Sequence, residues 1–168
     1  SSPPFVARAV KLFDTHLLDD PRFSERFFFE ARRAARVRHE NLVAITGFGT
    51  AGPVHHLIME YVFGASLAQL LRASAWAKTP LPAGLVLHIA RSLARALSAA
   101  WEAPDERGEP LGLTHGFVTP HNVLIGFDGR PKLADLGVAR ITNRASVRAS
   151  TGAEGIYAYM SPEQARGE

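Results

Sequence analysis

The spacing of hydrophobic and polar residues changes along the chain, and each spacing predicts an element of secondary structure. Residues 6–13 alternate between apolar and polar positions, which is typical of a β-strand. Two further strands are predicted at 43–50 and 54–59, joined by a turn at Gly52 and Pro53. The first 60 residues therefore contain three predicted strands.

Helical spacing predicts three other segments. Asp20 and Pro21 are typical of an N-cap and a first helical turn, and this helix is predicted to end near residue 36. A short helix is predicted from Ser66 to about 72, and a long one over about 83–101, separated by a linker at 73–82. The first helix has an apolar stripe at Phe23, Phe27, Ala31 and Ala34.

A β-hairpin is predicted further along the chain. Short apolar runs at 123–125 and 133–134 flank a polar turn at 128–131. The hairpin places Asn122 at the entry of one strand and Asp135 at the exit of the next, so that an amide oxygen and a carboxylate meet at one end. Because Mg²⁺ prefers such oxygen ligands, these two side chains are candidate metal ligands.

Residues 113–137 read LTHGFVTPHNVLIGFDGRPKLADLG. This stretch resembles the catalytic loop and metal-binding segment of protein kinases, in which H-R-D-L-x-x-x-N precedes D-F-G. His115 matches the histidine, Asn122 the asparagine, and Asp135-Leu136-Gly137 the D-F-G triplet. The resemblance implies that Asn122 and Asp135 hold Mg²⁺ and that His115 is structural, with its ring packed on Leu136.

The same stretch departs from the family at the catalytic base. Gly116 and Phe117 stand where the family has Arg and Asp, and Phe117 cannot accept a proton. Thr119 replaces the family's lysine. The nearby acids offer no replacement, because Asp128 lies in the turn at the far end of the hairpin and Asp135 is assigned to the metal. The catalytic position at Phe117 is therefore degenerate.

By the same resemblance, the first strand and the first helix contribute to an ATP site. Ala9-Val10-Lys11 fits the A-x-K pattern, in which the alanine lies against the adenine and the lysine binds the α- and β-phosphates. Glu30 is implied to be the helix carboxylate that pairs with Lys11.

Residues 59–67 read MEYVFGASL and resemble a kinase hinge. The resemblance implies that adenine binds the backbone carbonyl of Glu60 and the N–H of Val62, with Met59 behind it as the gatekeeper. Leu124 is assigned to the same nucleotide site. The expected cofactors are therefore ATP and Mg²⁺.

Two segments after Gly137 also fit the family. Residues 142–154 are polar and resemble an activation segment, the alternative being an ordinary solvent-exposed loop. Residues 157–163 read YAYMSPE and resemble the substrate-side loop and A-P-E motif of bacterial Hanks-type serine/threonine kinases. Small-molecule phosphotransferases share the H-G-D loop but not this segment, so the motif argues against them.

Composition adds expectations about compartment and partners. The chain of 168 residues contains no cysteine, which excludes disulfides and thiolate metal sites and fits a reducing, cytoplasmic compartment. The net charge of +3 comes mainly from arginine, and without interleaved exposed aromatic residues it predicts no nucleic-acid partner. Neither a signal peptide nor a membrane segment is predicted. The expected partner is a protein substrate or a regulatory protein.

The motifs together predict an α+β, protein-kinase-like two-lobe fold. Residues 1–168 would form a partial kinase domain, with 5–62 in the N-lobe and 63–168 in the first part of the C-lobe. We expect the Gly-rich loop and the later helices to be missing, which would leave the isolated chain marginally stable or in need of a partner. Because of Phe117, the predicted function is a pseudokinase or regulatory nucleotide-binding module. The alternatives are an active serine/threonine kinase with atypical catalysis and an inactive gene fragment.

Overall fold

The computed structural model describes residues 6–13, 22–138 and 158–166 of the chain. In chain order, the elements of these described residues are β1 (Arg8–Phe13), α1 (Phe23–Arg36), β2 (Ile45–Ala51), β3 (Val54–Glu60), β4 (Gly64–Ser66), α2 (Leu67–Trp76), α3 (Ala83–Glu102), β5 (Val123–Gly126), β6 (Pro131–Leu133) and α4 (Pro162–Arg166).

The first three strands form an antiparallel sheet in the order β1-β3-β2, with α1 packed on one face. The alternation along β1 explains its orientation, because Phe13 is buried while Leu12 is 67% exposed. The ring of Phe13 lies 5.3 Å from the ring of Phe27 on α1. The predicted apolar stripe of this helix is confirmed, since all four of its residues are buried.

A second antiparallel sheet has the order β4-β5-β6. Strand β4 follows directly after the segment at 61–63 and pairs with β5, so that Gly64 lies opposite Gly126. A Cβ atom at Gly64 would lie only 2.0 Å from the carbonyl oxygen of Ile125, which explains why glycine occupies this position. This pairing brings the end of the first sheet against the predicted hairpin.

The two sheets are joined by a short parallel bridge between Leu42 and Leu133. The N–H of Val43 donates to the Leu133 carbonyl at 3.0 Å, and the N–H of Leu133 donates to the Asn41 carbonyl at 2.8 Å. The buried side chain of Asn41 donates to the Pro131 carbonyl at 2.8 Å. Strand β6 is therefore fixed to the segment that leads into β2.

Helices α2 and α3 pack against the second sheet, α2 against β4 and β5 and α3 against β6. Ser66 begins α2 with a capping box, in which its hydroxyl accepts from the Gln69 N–H at 3.2 Å and the Gln69 side chain accepts from the Ser66 N–H at 2.8 Å. Helix α3 packs against β6 and buries Ile89, Ala96 and Ala100. None of the described helices is long and apolar enough to cross a membrane.

Several predicted boundaries need correction. Strand β1 begins at Arg8 instead of residue 6, and α2 continues to Trp76, which shortens the predicted linker at 73–82. Strand β4 was not predicted, because it depends on pairing with β5 and not on local alternation. The proposed N-cap at 20–21 and the proposed activation segment at 142–154 lie outside the described residues.

Candidate active site

Lys11 and Asp135 meet between the first sheet and the hairpin. The Lys11 Nζ atom lies 2.5 Å from Asp135 Oδ2, and the side chains are 35% and 16% exposed. Asp135 follows β6 and has a φ of +66°, which turns the chain sharply between the strand and the buried Leu136. A Cβ atom at Gly137 would lie 3.2 Å from the Cβ of Ala34, so this turn packs closely against α1.

Asn122 is buried at the same end of the hairpin. The Ala134 N–H donates to the Asn122 carbonyl at 2.8 Å, which places Asn122 beside the residue that precedes Asp135. The Asn122 side-chain nitrogen donates to the Phe117 carbonyl at 2.9 Å. Its amide oxygen is therefore the atom available to a cation.

Glu30 lies on the buried face of α1 and is 6% exposed. Its carboxylate forms an ion pair with Arg33 at 3.2 Å, and Arg33 also donates to the Leu111 carbonyl at 2.6 Å. The contacts of the structure thus join Lys11 to Asp135 and Glu30 to Arg33, instead of the predicted pair of Lys11 with Glu30. Glu30 and Arg33 are three residues apart on one helix, a spacing at which side chains are neighbours and can form an ion pair.

Of the predicted adenine-binding residues, Met59 and Glu60 lie on β3 and Val62 follows it, whereas Ala9 lies on β1 and Leu124 on β5. Ala9 on β1 is the cross-strand partner of Met59, which is 8% exposed. Val62 is half-buried against the core, and within the described residues its N–H makes no backbone hydrogen bond. Leu124 on β5 is also half-buried and lies opposite Ser66.

Sequence reasoning missed the ion pair that holds the Glu60 side chain. Lys132 on β6 lies 3.0 Å from the carboxylate of Glu60, although the two residues are 72 positions apart. The only available signal was that Lys132 is one of three lysines in the chain. Such long-range partners cannot be derived from local spacing.

His115 is 2% exposed and both of its ring nitrogens are used. Nδ1 accepts from the Phe117 N–H at 3.2 Å, and Nε2 lies 2.7 Å from the Ala134 carbonyl. Because a carbonyl can only accept, the neutral ring carries its proton on Nε2. Burial lowers the pKa of His115, which favours this neutral form. The ring thus ties residue 117 to the segment before Asp135.

Phe117 lines a cavity of about 300 Å³ between the predicted catalytic loop and the segment around 160. The Gln164 side chain donates to the Gly116 carbonyl at 2.9 Å and closes one side of the cavity. Among the described residues that line it, none carries a carboxylate; they are Leu97, His115, Gly116, Phe117, Val118, Thr119, Tyr159, Met160 and Gln164.

The residues present fit a magnesium nucleotide better than a metal held by protein alone. The described ranges contain no group of three or more His, Cys, Asp or Glu side chains that could hold a metal. One carboxylate at Asp135 and one amide oxygen at Asn122 suit Mg²⁺, which takes its other ligands from phosphates and water. Lys11, whose ammonium group lies 2.5 Å from Asp135, places a positive charge next to these two side chains.

The architecture is that of a kinase-type fold, and comparison with known proteins gives the same class. The family described as protein tyrosine and serine/threonine kinase matches residues 6–168. The tyrosine-protein kinase MasK of Myxococcus xanthus (strain DK1622) is 36% identical over 160 residues, which cover 95% of this chain and 25% of MasK. The serine/threonine-protein kinase PknL of Mycobacterium tuberculosis (strain ATCC 25618 / H37Rv) is 37% identical over 158 residues, covering 94% and 37%.

Solved structures agree with these relatives. The crystal structure of the Mycobacterium tuberculosis PknI kinase domain aligns with a TM-score of 0.66 and 28% identity, covering 92% of this chain and 61% of that one. The chain therefore belongs to the protein kinase family, and its fold is an α+β, partial kinase fold. It spans 25% to 37% of the length of these two curated relatives.

Proposed function

We propose that this chain is a pseudokinase module that binds Mg·ATP and transfers phosphate poorly. Its partner would be a protein, either a substrate or a regulatory protein, in the cytoplasm. The observation that carries the proposal is the position of Phe117. Phe117 lines the cavity, and its backbone carbonyl accepts from the Asn122 side chain. By the resemblance, it occupies the position where the family's base removes a proton from the substrate hydroxyl.

No neighbouring group described here can replace that base. His115 is neutral, donates its only proton to the Ala134 carbonyl and already accepts from the Phe117 N–H. Asp135 is paired with Lys11. Loss of a positioned base lowers a rate by roughly 10²–10⁴-fold. Bound Mg·ATP would supply the transferable phosphoryl group, so binding and positioning could persist without efficient transfer.

The binding part of the proposal rests on Lys11, Asp135 and Asn122. We expect Lys11→Met and Asp135→Asn to weaken Mg·ATP binding by more than tenfold in calorimetric titration, because each removes one charge that faces the nucleotide phosphates or Mg²⁺. Lys78→Met is a matched control, since Lys78 is an exposed lysine outside the site. Equal affinity in all variants would show that ATP does not bind here.

The catalytic part is tested by restoring the carboxylate. Phe117→Asp is expected to raise phosphate transfer to a generic protein substrate by roughly 10²–10⁴-fold over the unaltered protein. The control is Phe117→Asn, because asparagine has nearly the same shape as aspartate but no basic oxygen. We expect this variant to transfer phosphate at the rate of the unaltered protein. If the unaltered protein already transfers phosphate as fast as Phe117→Asp, the chain is an active kinase with atypical catalysis.

A further inference from the structure

Lys132 and Glu60 connect the hairpin to the predicted adenine-binding segment. Lys132 Nζ lies 3.0 Å from both carboxylate oxygens of Glu60, and the side chains are 18% and 34% exposed. Glu60 ends β3, two residues before Val62. Lys132 lies opposite Leu124 on the hairpin, so the ion pair spans the two elements to which the nucleotide site is assigned.

The Glu60 carboxylate also contacts a third segment. Its Oε2 accepts from the Ala44 N–H at 3.3 Å, while the Glu60 N–H donates to the Ala44 carbonyl at 2.8 Å. Lys132 reaches the Leu42 carbonyl at 3.5 Å, at the joint between the two sheets. The Glu60 carboxylate therefore accepts hydrogen bonds from Lys132 on the hairpin and from the Ala44 N–H just before β2, and Lys132 is the positively charged donor of the two.

We propose that Lys132 is a positioning residue for adenine. Through the Glu60 side chain it fixes the backbone from 60 to 62, whose Glu60 carbonyl and Val62 N–H are the predicted adenine contacts of the Mg·ATP site proposed above. This inference rests on that proposed function. Without Lys132, the carboxylate loses its only described cationic partner and can turn toward solvent, which allows the following backbone to move.

This role predicts that removing Lys132 weakens binding of the adenosine part of ATP and leaves binding of its phosphates unchanged. We expect Lys132→Met to weaken binding of ATP and of adenosine by about three- to tenfold, the range for a partly exposed ion pair with hydrogen bonds to a charged group. Binding of inorganic tripolyphosphate with Mg²⁺ should stay unchanged, because Lys11, Asn122 and Asp135 are untouched. A residue that only stabilised the fold would weaken all three ligands together.

Three further variants complete the experiment. Lys132→Arg keeps the charge and should restore ATP affinity to within twofold, and Glu60→Gln should reproduce the selective loss even if Lys132→Met folds poorly. Arg130→Met removes an exposed ion pair of the same hairpin, with Asp128 at 3.4 Å, and should change no affinity. Equal losses for adenosine and tripolyphosphate, or no loss in either Lys132→Met or Glu60→Gln, would overturn the positioning role. Failure of the unaltered protein to bind ATP would instead overturn the proposed function, and this role with it.

Discussion

Two histidines are buried in the described part of the chain, His55 and His115, and they should respond in opposite ways to replacement by phenylalanine. His55 is 5% exposed and lies among the rings of Phe23, Phe27 and Phe28, with centroids 5.2, 4.9 and 5.8 Å away. Its Nε2 is 3.0 Å from the Ser24 hydroxyl, but its Nδ1 is buried without a hydrogen-bond partner. Replacement by phenylalanine therefore removes one satisfied and one unsatisfied nitrogen.

The free-energy difference follows from these two nitrogens. Loss of the hydrogen bond to Ser24 costs about 0.5–1.5 kcal/mol, whereas removal of a buried unsatisfied atom returns about 1–3 kcal/mol. We expect His55→Phe to change the free energy of unfolding by about −0.5 to +2.5 kcal/mol above pH 7. His115→Phe leaves the Ala134 carbonyl and the Phe117 N–H without their partner, and should lose about 2–6 kcal/mol.

The pH dependence gives a second measurement. Burial, with a smaller effect of the His56 charge, lowers the pKa of His55 in the folded protein. The unfolded chain then binds a proton below pH 6.5 that the folded protein does not, so stability present above that pH is lost as the pH falls, by up to about 1.4 kcal/mol per pH unit. His55→Phe lacks this loss, and its advantage should grow toward pH 5.

Urea unfolding followed by circular dichroism at pH 7.5, 6.5 and 5.5 measures both effects. The unaltered protein serves as the reference at each pH, and His115→Phe serves as the contrasting variant. The reasoning would be refuted if His55→Phe lost more than about 2 kcal/mol at pH 7.5, or if its difference from the unaltered protein did not change with pH.

Three other substitutions test the packing and the backbone of the fold by the same unfolding measurement. Gly64→Ala should cost at least about 3 kcal/mol of unfolding free energy because its Cβ would meet the Ile125 carbonyl. Gly84→Ala is the control: its Cβ has open space around it, so this change should be neutral or stabilising by about 1 kcal/mol. Equal effects of the two substitutions would contradict the close approach of β4 and β5. Ser66→Ala removes the capping box and should cost about 0.5–2 kcal/mol, a loss that Ser66→Asp should largely avoid. Phe27→Ala should cost about 3–5 kcal/mol because its side chain is fully buried, and a loss below 1 kcal/mol would mean that the aromatic cluster is not a packed core.

The sequence predicted those elements whose signal is local. The stripe of α1, the Ser66 cap and the hairpin around residues 123–133 were all found from spacing or turn residues, and the structure has each of them. Strand β4 could not be found in this way, because Gly64-Ala65-Ser66 has no apolar alternation and becomes a strand only through pairing with β5.

The site shows the same division. The hairpin pattern predicts Asn122 and Asp135 at one end of the ribbon, and the hydrogen bond from the Ala134 N–H to the Asn122 carbonyl brings the backbone at 122 next to residue 134. The resemblance did not reveal that Arg33 forms an ion pair with Glu30, because the position of Arg33 also depends on the Leu111 carbonyl, 78 residues further along. The roles of Asn122 and Asp135 in ATP and Mg²⁺ binding are proposals, and the titration of Asp135→Asn tests the second of them.

The bridge between Leu42 and Leu133 also restricts how far the first sheet and the hairpin can move apart. Backbone hydrogen bonds on both sides of Leu133, together with the hydrogen bond from the Asn41 side chain to the Pro131 carbonyl, hold the two segments together at this point. Asp135 follows Leu133 by only two residues, so its ion pair with Lys11 lies near this joint. Movement of the first sheet against the hairpin would therefore be smallest around Leu133, and Lys11 would stay close to Asp135 as long as these hydrogen bonds hold.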